Sequence, residues 1–135
     1  MATAPEKLIS DESEVLLRQV HPQWFQEKRL YSAAFRPTPK DQGELSVHSK
    51  ALIEPEPCFD EYVEKYGKDK SAGVWGLSVA DLNAQFIKAY RDPIDGDEPH
   101  CVADFNPHTK SQWEKLSKKL RAAADARGPL HLPAE

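Results

Sequence analysis

Residues 18–47 of this 135-residue chain, RQVHPQWFQEKRLYSAAFRPTPKDQGELSV, determine how its first half folds. Two short runs in this stretch, 29–35 and 44–48, alternate apolar and polar residues, as β-strands with one buried face do. Pro37 and Pro39 lie between the runs, and proline cannot donate to a strand ladder. The stretch therefore predicts two strands joined by a conformationally restricted loop.

Outside this stretch the pattern predicts further strands and two helices. Apolar residues recur at helical spacing over 57–67 and again over 109–127, where Thr109 and Gln112 form a capping box. Without a regular βαβ repeat, the expected class is α+β, with a mixed or mainly antiparallel sheet of about five to six short strands and helices mainly on one face. The predicted strands are 14–20, 29–35, 44–48, 73–79, 86–90 and 99–105.

The length fits one domain, which we expect over residues 11–127, between loosely held segments at 1–10 and 128–135. No apolar run approaches the ~20 residues that cross a bilayer, and the first residues lack the apolar region of a secretory signal. Cys58 and Cys101 do not have the spacing of a CxxC motif. A cytoplasmic protein that does not contact a membrane is therefore expected.

Charge is unevenly distributed along the chain. The net charge is −4, but residues 108–127 carry six lysines and arginines against Glu114 and Asp125, a local +4 that leaves −8 elsewhere. The acidic total argues against a general nucleic-acid binder. The basic residues of the last helix are expected to form a solvated face, and nucleic-acid binding through them is possible but not favoured: Lys118, Lys119 and Arg121.

Three histidines are candidates for proton transfer near neutral pH: His21, His48 and His100. Nucleophilic side chains exist as well, but no serine lies in a G-x-S-x-G elbow and neither cysteine carries a hydrolase signature; they are Ser32, Ser46, Cys58 and Cys101.

The acidic run over residues 92–98 could offer oxygen ligands to a metal, but its spacing is not that of a calcium loop. Asp95 and Gly96 within this run are a signal for a hairpin turn, and a turn accounts for the acidic residues without a metal. We therefore expect neither a metal nor a cofactor.

A polar cluster is expected if the strands 14–20, 29–35 and 44–48 pair consecutively, because their side chains would meet at one sheet edge. Arginine and lysine there could bind an anionic group, and aromatic residues and arginine are enriched at protein interfaces. The alternative is that these groups close turns inside the molecule. The binding residues predicted in this way are Arg18, Trp24, Ser32, Arg36, Lys40, Asp41 and Ser46, with His21 beside them.

The same positions carry a resemblance. The chain resembles a family of small, standalone bacterial proteins over roughly residues 14–126. The resemblance implies a bacterial cytosolic origin and a complete single domain, but no activity, and it suggests a role beside other gene products, as in toxin–antitoxin or phage-defence operons. The resembling motifs are Leu17-Arg18-x-Val20-His21-Pro22, Ser32-x-Ala34-Phe35, Leu45-Ser46-Val47, Gly73, Asp92-Pro93, Pro99-His100 and the alanine-rich last helix.

Two functions follow as hypotheses. The first is a non-enzymatic accessory protein that binds a partner protein through the 18–47 surface or the basic last helix. The alternative is a small hydrolase or transferase acting on a nucleotide or RNA phosphate, with His21 and His100 as acid and base and with Arg18, Arg36 or Lys40 holding the anion. Whether the chain is an enzyme is left open by the sequence.

Overall fold

The computed structural model describes residues 4–134. Residues 1–3 and 135, which belong to the terminal segments expected to be loosely held, lie outside the described part. Within it the chain forms seven strands and three α-helices, joined by short 3₁₀ turns. The elements are β1 Val15–Val20, β2 Phe25–Gln26, β3 Arg29–Leu30, β4 Glu44–Ser49, α1 Pro55–Tyr66, β5 Gly73–Ser78, α2 Val79–Asn83, β6 Lys88–Arg91, β7 His100–Asp104 and α3 Lys110–Arg127.

Five strands form one sheet in the order β5-β1-β4-β7-β6, and every neighbouring pair is antiparallel. The strands β2 and β3 form a separate two-stranded sheet. This confirms the predicted α+β class and the mainly antiparallel sheet of about five strands. The two predicted helices are present as α1 and α3, and the capping box at Thr109 is formed.

The strand predicted over residues 29–35 was wrong. Glu27 and Lys28 both adopt left-handed backbone conformations, with φ of 53° and 62°, so the chain reverses early and β3 pairs with β2. After β3 the chain turns into a short 3₁₀ helix whose Phe35 is fully buried in the main core. Tertiary burial has overridden the alternating pattern, and β1 pairs directly with β4.

The helices lie on opposite faces of the sheet, not mainly on one face as the sequence suggested. Leu16 of β1 belongs to the main core together with Trp113 and Leu120 of α3. Its neighbour Leu17 belongs to a second cluster with Phe59 of α1. Because successive strand residues point to opposite faces, α3 covers one face and α1 covers the other.

The pairing of β4 with β7 decides which side chains reach each face. Val47 lies opposite Cys101, and both are buried in the main core on the α3 side. The next pair in the register is His48 opposite His100, which therefore faces α1. Ser46 shares that face because it lies two residues from His48.

Short segments next to the chain ends contact the two edges of the sheet. The amide of Ile9 donates to the carbonyl of Ala89 in β6, and Ile9 is buried. The amide of Leu130 donates to the carbonyl of Val74 in β5. The fold therefore extends beyond the predicted boundaries 11 and 127. Among the described residues, the helices are all too short or too polar to span a membrane.

Glu14, which directly precedes β1, links this strand to β4 and to the edge strand β6. Its carboxylate accepts two hydrogen bonds from Arg91 at 2.6 and 2.7 Å and one from the Ser49 hydroxyl at 2.6 Å. Burial alone would raise the pKa of Glu14, but the hydrogen bonds from Arg91 and Ser49 outweigh it and lower this pKa below the ordinary value. The ionised carboxylate is therefore the form that stabilises the fold.

The substitution Glu14→Gln should lower the free energy of unfolding at neutral pH by about 1–3 kcal/mol, because it leaves Arg91 without its charged acceptor. A depressed folded-state pKa contributes stability above the unfolded pKa, and this contribution is lost as pH falls through the folded value. Urea unfolding should therefore show the difference between wild type and variant shrinking at acidic pH. The exposed Glu64→Gln serves as the control, and a difference independent of pH would contradict this account.

Candidate functional site

A cleft of about 330 Å³ lies on the α1 side of the sheet. Its floor is formed by β4 and β7, one wall by α1, and the other wall by the loop between β6 and β7. The side chains that matter for its chemistry are Ser46, His48 and His100 on the floor, Tyr62 and Lys65 on α1, and Asp97 on the loop.

The loop between β6 and β7 is a hairpin held by hydrogen bonds at its tip and its neck. At the tip Ile94 and Asp97 exchange backbone hydrogen bonds of 3.1 and 2.6 Å around the predicted turn, where Gly96 has a φ of 82°. At the neck the amide of Asp92 donates to the carbonyl of His100 at 3.0 Å. The pairing places the carboxylate of Asp92 next to the ring of His100.

His100 is buried and is hydrogen-bonded through both ring nitrogens. Nδ1 lies 2.9 Å from the backbone oxygen of Asp92 and 3.2 Å from its carboxylate oxygen Oδ2. A carbonyl oxygen can only accept, so the proton of the neutral ring lies on Nδ1. Nε2 is then the free base, and it lies 2.5 Å from Oγ of Ser46, whose hydroxyl donates to it.

Ser46, His100 and Asp92 thus have the relations of a nucleophile, its base and the group that orients the base. Ser46 is exposed to solvent at the cleft, whereas His100 is 8% exposed behind it. Such a constellation is recognised by geometry and not by chain order or a local motif. The absence of a G-x-S-x-G elbow is therefore compatible with it.

The sequence predicted His100 as a catalytic residue and Ser46 as a binding residue, but it did not predict that Asp92 contacts His100. A signal was present, because residues at the two sides of a hairpin neck are cross-strand neighbours. Once the turn is placed at Asp95-Gly96, Asp92 is expected to face the start of the following strand.

A second histidine–carboxylate pair lies beside the first. Nε2 of His48 is 2.9 Å from Oδ2 of Asp97, which lies at the hairpin tip. The rings of His48 and His100 have their centroids 5.4 Å apart, with one edge towards the other face. Within residues 4–134, no three histidine, cysteine or acidic side chains come together in a way that could hold a metal ion.

Arg18 supports the floor of the cleft from inside the protein. Its Nε donates to the carbonyl of Ala34 at 2.8 Å and its Nη1 to the carbonyl of Ser46 at 3.0 Å, while its guanidinium lies 5.7 Å from the centre of the Trp24 ring. The ladder between β1 and β4 ends at Leu17, and Arg18 supplies donors where the strands separate. Burial lowers the pKa of Arg18 to about 10, so it stays charged at neutral pH.

His21 and His100 are not brought together. His21 accepts a hydrogen bond from the amide of Gln23 at its Nδ1 and packs near the Trp24 ring, at the end of β1. In the sheet, Leu17 lies opposite His48, and His48 lies opposite His100. His21 is four residues further along the chain than Leu17. The Cα atoms of His21 and His100 are therefore roughly 15 Å apart. The predicted acid–base pair is therefore not formed in the structure: the ring of His21 is bonded to its own turn, and the ring of His100 is bonded to Asp92 and Ser46.

The remaining predicted binding residues do not gather around Ser46. Asp41 is committed to its own turn, where it accepts from the amide and the hydroxyl of Thr38 at 2.8 and 2.7 Å. Lys40 is exposed on that turn. Ser32 begins the 3₁₀ helix found at the end of the predicted strand, and Arg36 directly follows this helix. The expected patch is therefore divided between internal bonds and separate parts of the surface.

The basic residues of α3 lie on a charged outer face. Lys118 is 3.8 Å from Glu114 and Arg121 is 3.9 Å from Asp125, both at helical i,i+4 spacing. Lys119 is exposed beside them. Such pairs contribute little to stability, roughly 0.3–0.5 kcal/mol each, and they neutralise part of the positive charge.

Both cysteines and Tyr62 have shifted pKa values that decide whether they could act as a nucleophile or as a hydrogen-bond donor. Burial raises the pKa of the Cys58 thiol to about 11 and also raises that of Cys101, so neither forms a thiolate readily. Burial raises the pKa of Tyr62 as well, against the charge of Arg18, so its hydroxyl is a hydrogen-bond donor at neutral pH. Ser46 is the candidate nucleophile that the geometry supports.

A comparison of the chain with protein-family models, curated proteins and solved structures finds no match. The resemblance of its motifs to small standalone bacterial proteins stays a prediction. The cleft is therefore the feature of this chain from which a function can be inferred.

The assignment of the ring proton in His100 can be tested by NMR correlation of ring nitrogens with ring protons. We expect the neutral ring to be the Nδ1–H tautomer. In Asp92→Ala the backbone acceptor remains, but the loss of the carboxylate should increase the exposure and tautomeric averaging of the ring. A neutral His100 with its proton on Nε2 would contradict the arrangement.

Proposed function

We propose that this chain is a hydrolase in which Ser46 is the nucleophile, His100 the general base and Asp92 the residue that orients His100. The single observation that carries the proposal is the 2.5 Å contact between the exposed Ser46 hydroxyl and Nε2 of His100, a histidine whose Nδ1 is held by Asp92. A serine hydroxyl is a weak nucleophile unless such a base removes its proton.

The reaction class that this arrangement serves is acyl transfer to water. The Ser46 oxygen attacks an acyl carbon while its proton passes to Nε2 of His100, and the carboxylate of Asp92 stabilises the imidazolium that forms. Negative charge develops on the acyl oxygen, and the α1 wall of the cleft offers the Tyr62 hydroxyl and the Lys65 ammonium as donors. The bond between the acyl carbon and the leaving group then breaks, and the leaving group takes up a proton. Water next attacks the acyl carbon, the acid is released, and Ser46 regains its proton from His100.

The size and charge of the cleft favour a small acyl substrate. A volume of about 330 Å³ is at the lower end of the range for small-molecule sites. Its walls carry three carboxylates, on Glu61, Asp95 and Asp97, against the ammonium of Lys65. This balance repels polyanions, so a neutral or cationic ester or amide is favoured over the nucleotide or RNA phosphate suggested by the sequence.

Binding of a partner protein is the second function that the sequence predicts. Arg18 would contribute to it indirectly at most, because its donors are bonded inside the molecule. Tyr31, which is 38% exposed, and the exposed Lys40 remain on the 18–47 surface for such a partner. A bacterial toxin–antitoxin or phage-defence context belongs to this second proposal.

The proposed nucleophile can be tested with a fluorophosphonate, which phosphonylates activated serines. Intact-mass analysis should show one adduct on the folded wild-type protein, and peptide mapping should place it on Ser46. Ser46→Ala should abolish the adduct, and His100→Gln should slow its formation by at least ~10³-fold because the base is lost.

The matched control is Ser111→Ala, which removes an exposed serine on α3 and should label like the wild type. Asp92→Asn tests the orienting residue, and near-ultraviolet circular dichroism should confirm that each variant is folded. An unlabelled Ser46 in the folded wild type, or equal labelling rates in wild type and folded His100→Gln, would refute the proposal.

A further inference from the structure

His48 is a titratable side chain in the cleft that the proposed serine chemistry does not use. It lies directly opposite His100 across β4 and β7, and it shares the exposed face of β4 with Ser46. Its ring is 19% exposed, and its Nε2 is held by Asp97 at 2.9 Å. No described side chain or backbone group is hydrogen-bonded to the remaining nitrogen, Nδ1, which is therefore free for another partner.

The position of His48 complements that of His100. The two ring centroids are 5.4 Å apart, so both imidazoles can reach one small substrate group bound over Ser46. Each ring has one nitrogen on a group from the 92–99 hairpin, Asp92 for His100 and Asp97 for His48. Holding one nitrogen fixes the ring and leaves the other for proton transfer. One hairpin therefore orients two imidazoles at one cleft.

We propose that His48, oriented by Asp97, is the general acid that protonates the leaving group when Ser46 attacks the substrate. The inference rests on the proposed hydrolase function and deepens it, because it assigns two proton transfers to two different histidines. His100 removes the proton of Ser46, and His48 gives a proton to the leaving group. It also predicts the substrate class: esters or amides with poor leaving groups, which need a proton to depart.

The proposed steps balance for an ester. In acylation the Ser46 proton passes to Nε2 of His100, and the bond between Oγ and the acyl carbon forms. The bond to the leaving oxygen then breaks, and this oxygen takes a proton from Nδ1 of protonated His48. In deacylation, water gives a proton to the neutral His48 as it attacks the acyl carbon, and His100 returns its proton to Ser46. The products are an acid and an alcohol, and both histidines regain their starting states.

The test compares wild type with His48→Gln on acetate esters of decreasing leaving-group acidity: p-nitrophenyl, phenyl and ethyl acetate. The hydrolysis rates are measured by pH-stat. General acid catalysis is typically worth 10²–10⁴-fold, and it matters most where the leaving group is most basic. We expect kcat/KM for ethyl acetate to fall by at least ~10²-fold and that for p-nitrophenyl acetate to fall by less than ~10-fold.

The control is His21→Asn, which changes a histidine outside the cleft and retains a side chain able to cap its turn. It should leave the dependence on the leaving group unchanged. Asp97→Asn should also lower the rate most for the ester with the most basic leaving group, but by a smaller factor than His48→Gln. The amide can still hold the His48 ring but does not stabilise its positive charge. A merely structural role of His48 would lower all three rates by the same factor.

An equal loss for the three esters, or no loss, would overturn the role of His48. The proposed hydrolase function is tested separately, because the fluorophosphonate carries fluoride, a leaving group that departs without a proton. Labelling of Ser46 in the wild type together with a uniform effect of His48→Gln would therefore retain the serine nucleophile and reject the general acid. Loss of Ser46 labelling in the wild type would reject both.

Discussion

The antiparallel pairing of β4 with β7 is the constraint on which the cleft depends. It sets His48 opposite His100, and the two-residue period of the strand adds Ser46 to the same face. A shift of the register by one residue would turn these side chains into the core and expose Val47 and Cys101 instead. The burial of Val47 and Cys101 at about 1% or less therefore also fixes the polar cleft on the other face.

The supporting groups come from ordered structure rather than from a loose loop. The hairpin that carries Asp92 and Asp97 is closed by backbone hydrogen bonds at its neck and its tip. Behind Ser46, the guanidinium of Arg18 holds the strand carbonyl where the ladder with β1 has ended. Preorganised groups need little rearrangement during a reaction, and the proposed proton transfer from Ser46 to His100 requires this property.

Much of the scaffold could be predicted because its signals are local. Alternation and flanking turns located the strands around residues 44–48 and 73–79, and helical spacing with a capping box located the helix that begins after Thr109. The run 29–35 failed because alternation does not distinguish a strand from a 3₁₀ turn whose Phe35 enters the core. Left-handed backbone at Glu27 and Lys28 has no strong sequence signal, since neither residue is glycine or asparagine.

The site was less predictable because its chemistry comes from pairs that are distant in the chain. Ser46 and His100 are 54 residues apart, and only the sheet register brings them together. Arg18 looked like a surface binding residue because composition cannot show that a charged side chain donates to backbone carbonyls inside the molecule. Tertiary pairing decides which charged side chains are hydrogen-bonded inside the molecule, and no local sequence pattern shows this.

The central claim is that His100 acts on Ser46 as a base, and the most direct measurement is the pH dependence of the rate at which Ser46 is modified. The rate constant for fluorophosphonate labelling should rise with pH and then level off, with a midpoint equal to the titration midpoint of the His100 ring measured by NMR in the same protein. A rate that rises in proportion to hydroxide without levelling off, or that is unrelated to the titration of His100, would contradict the account.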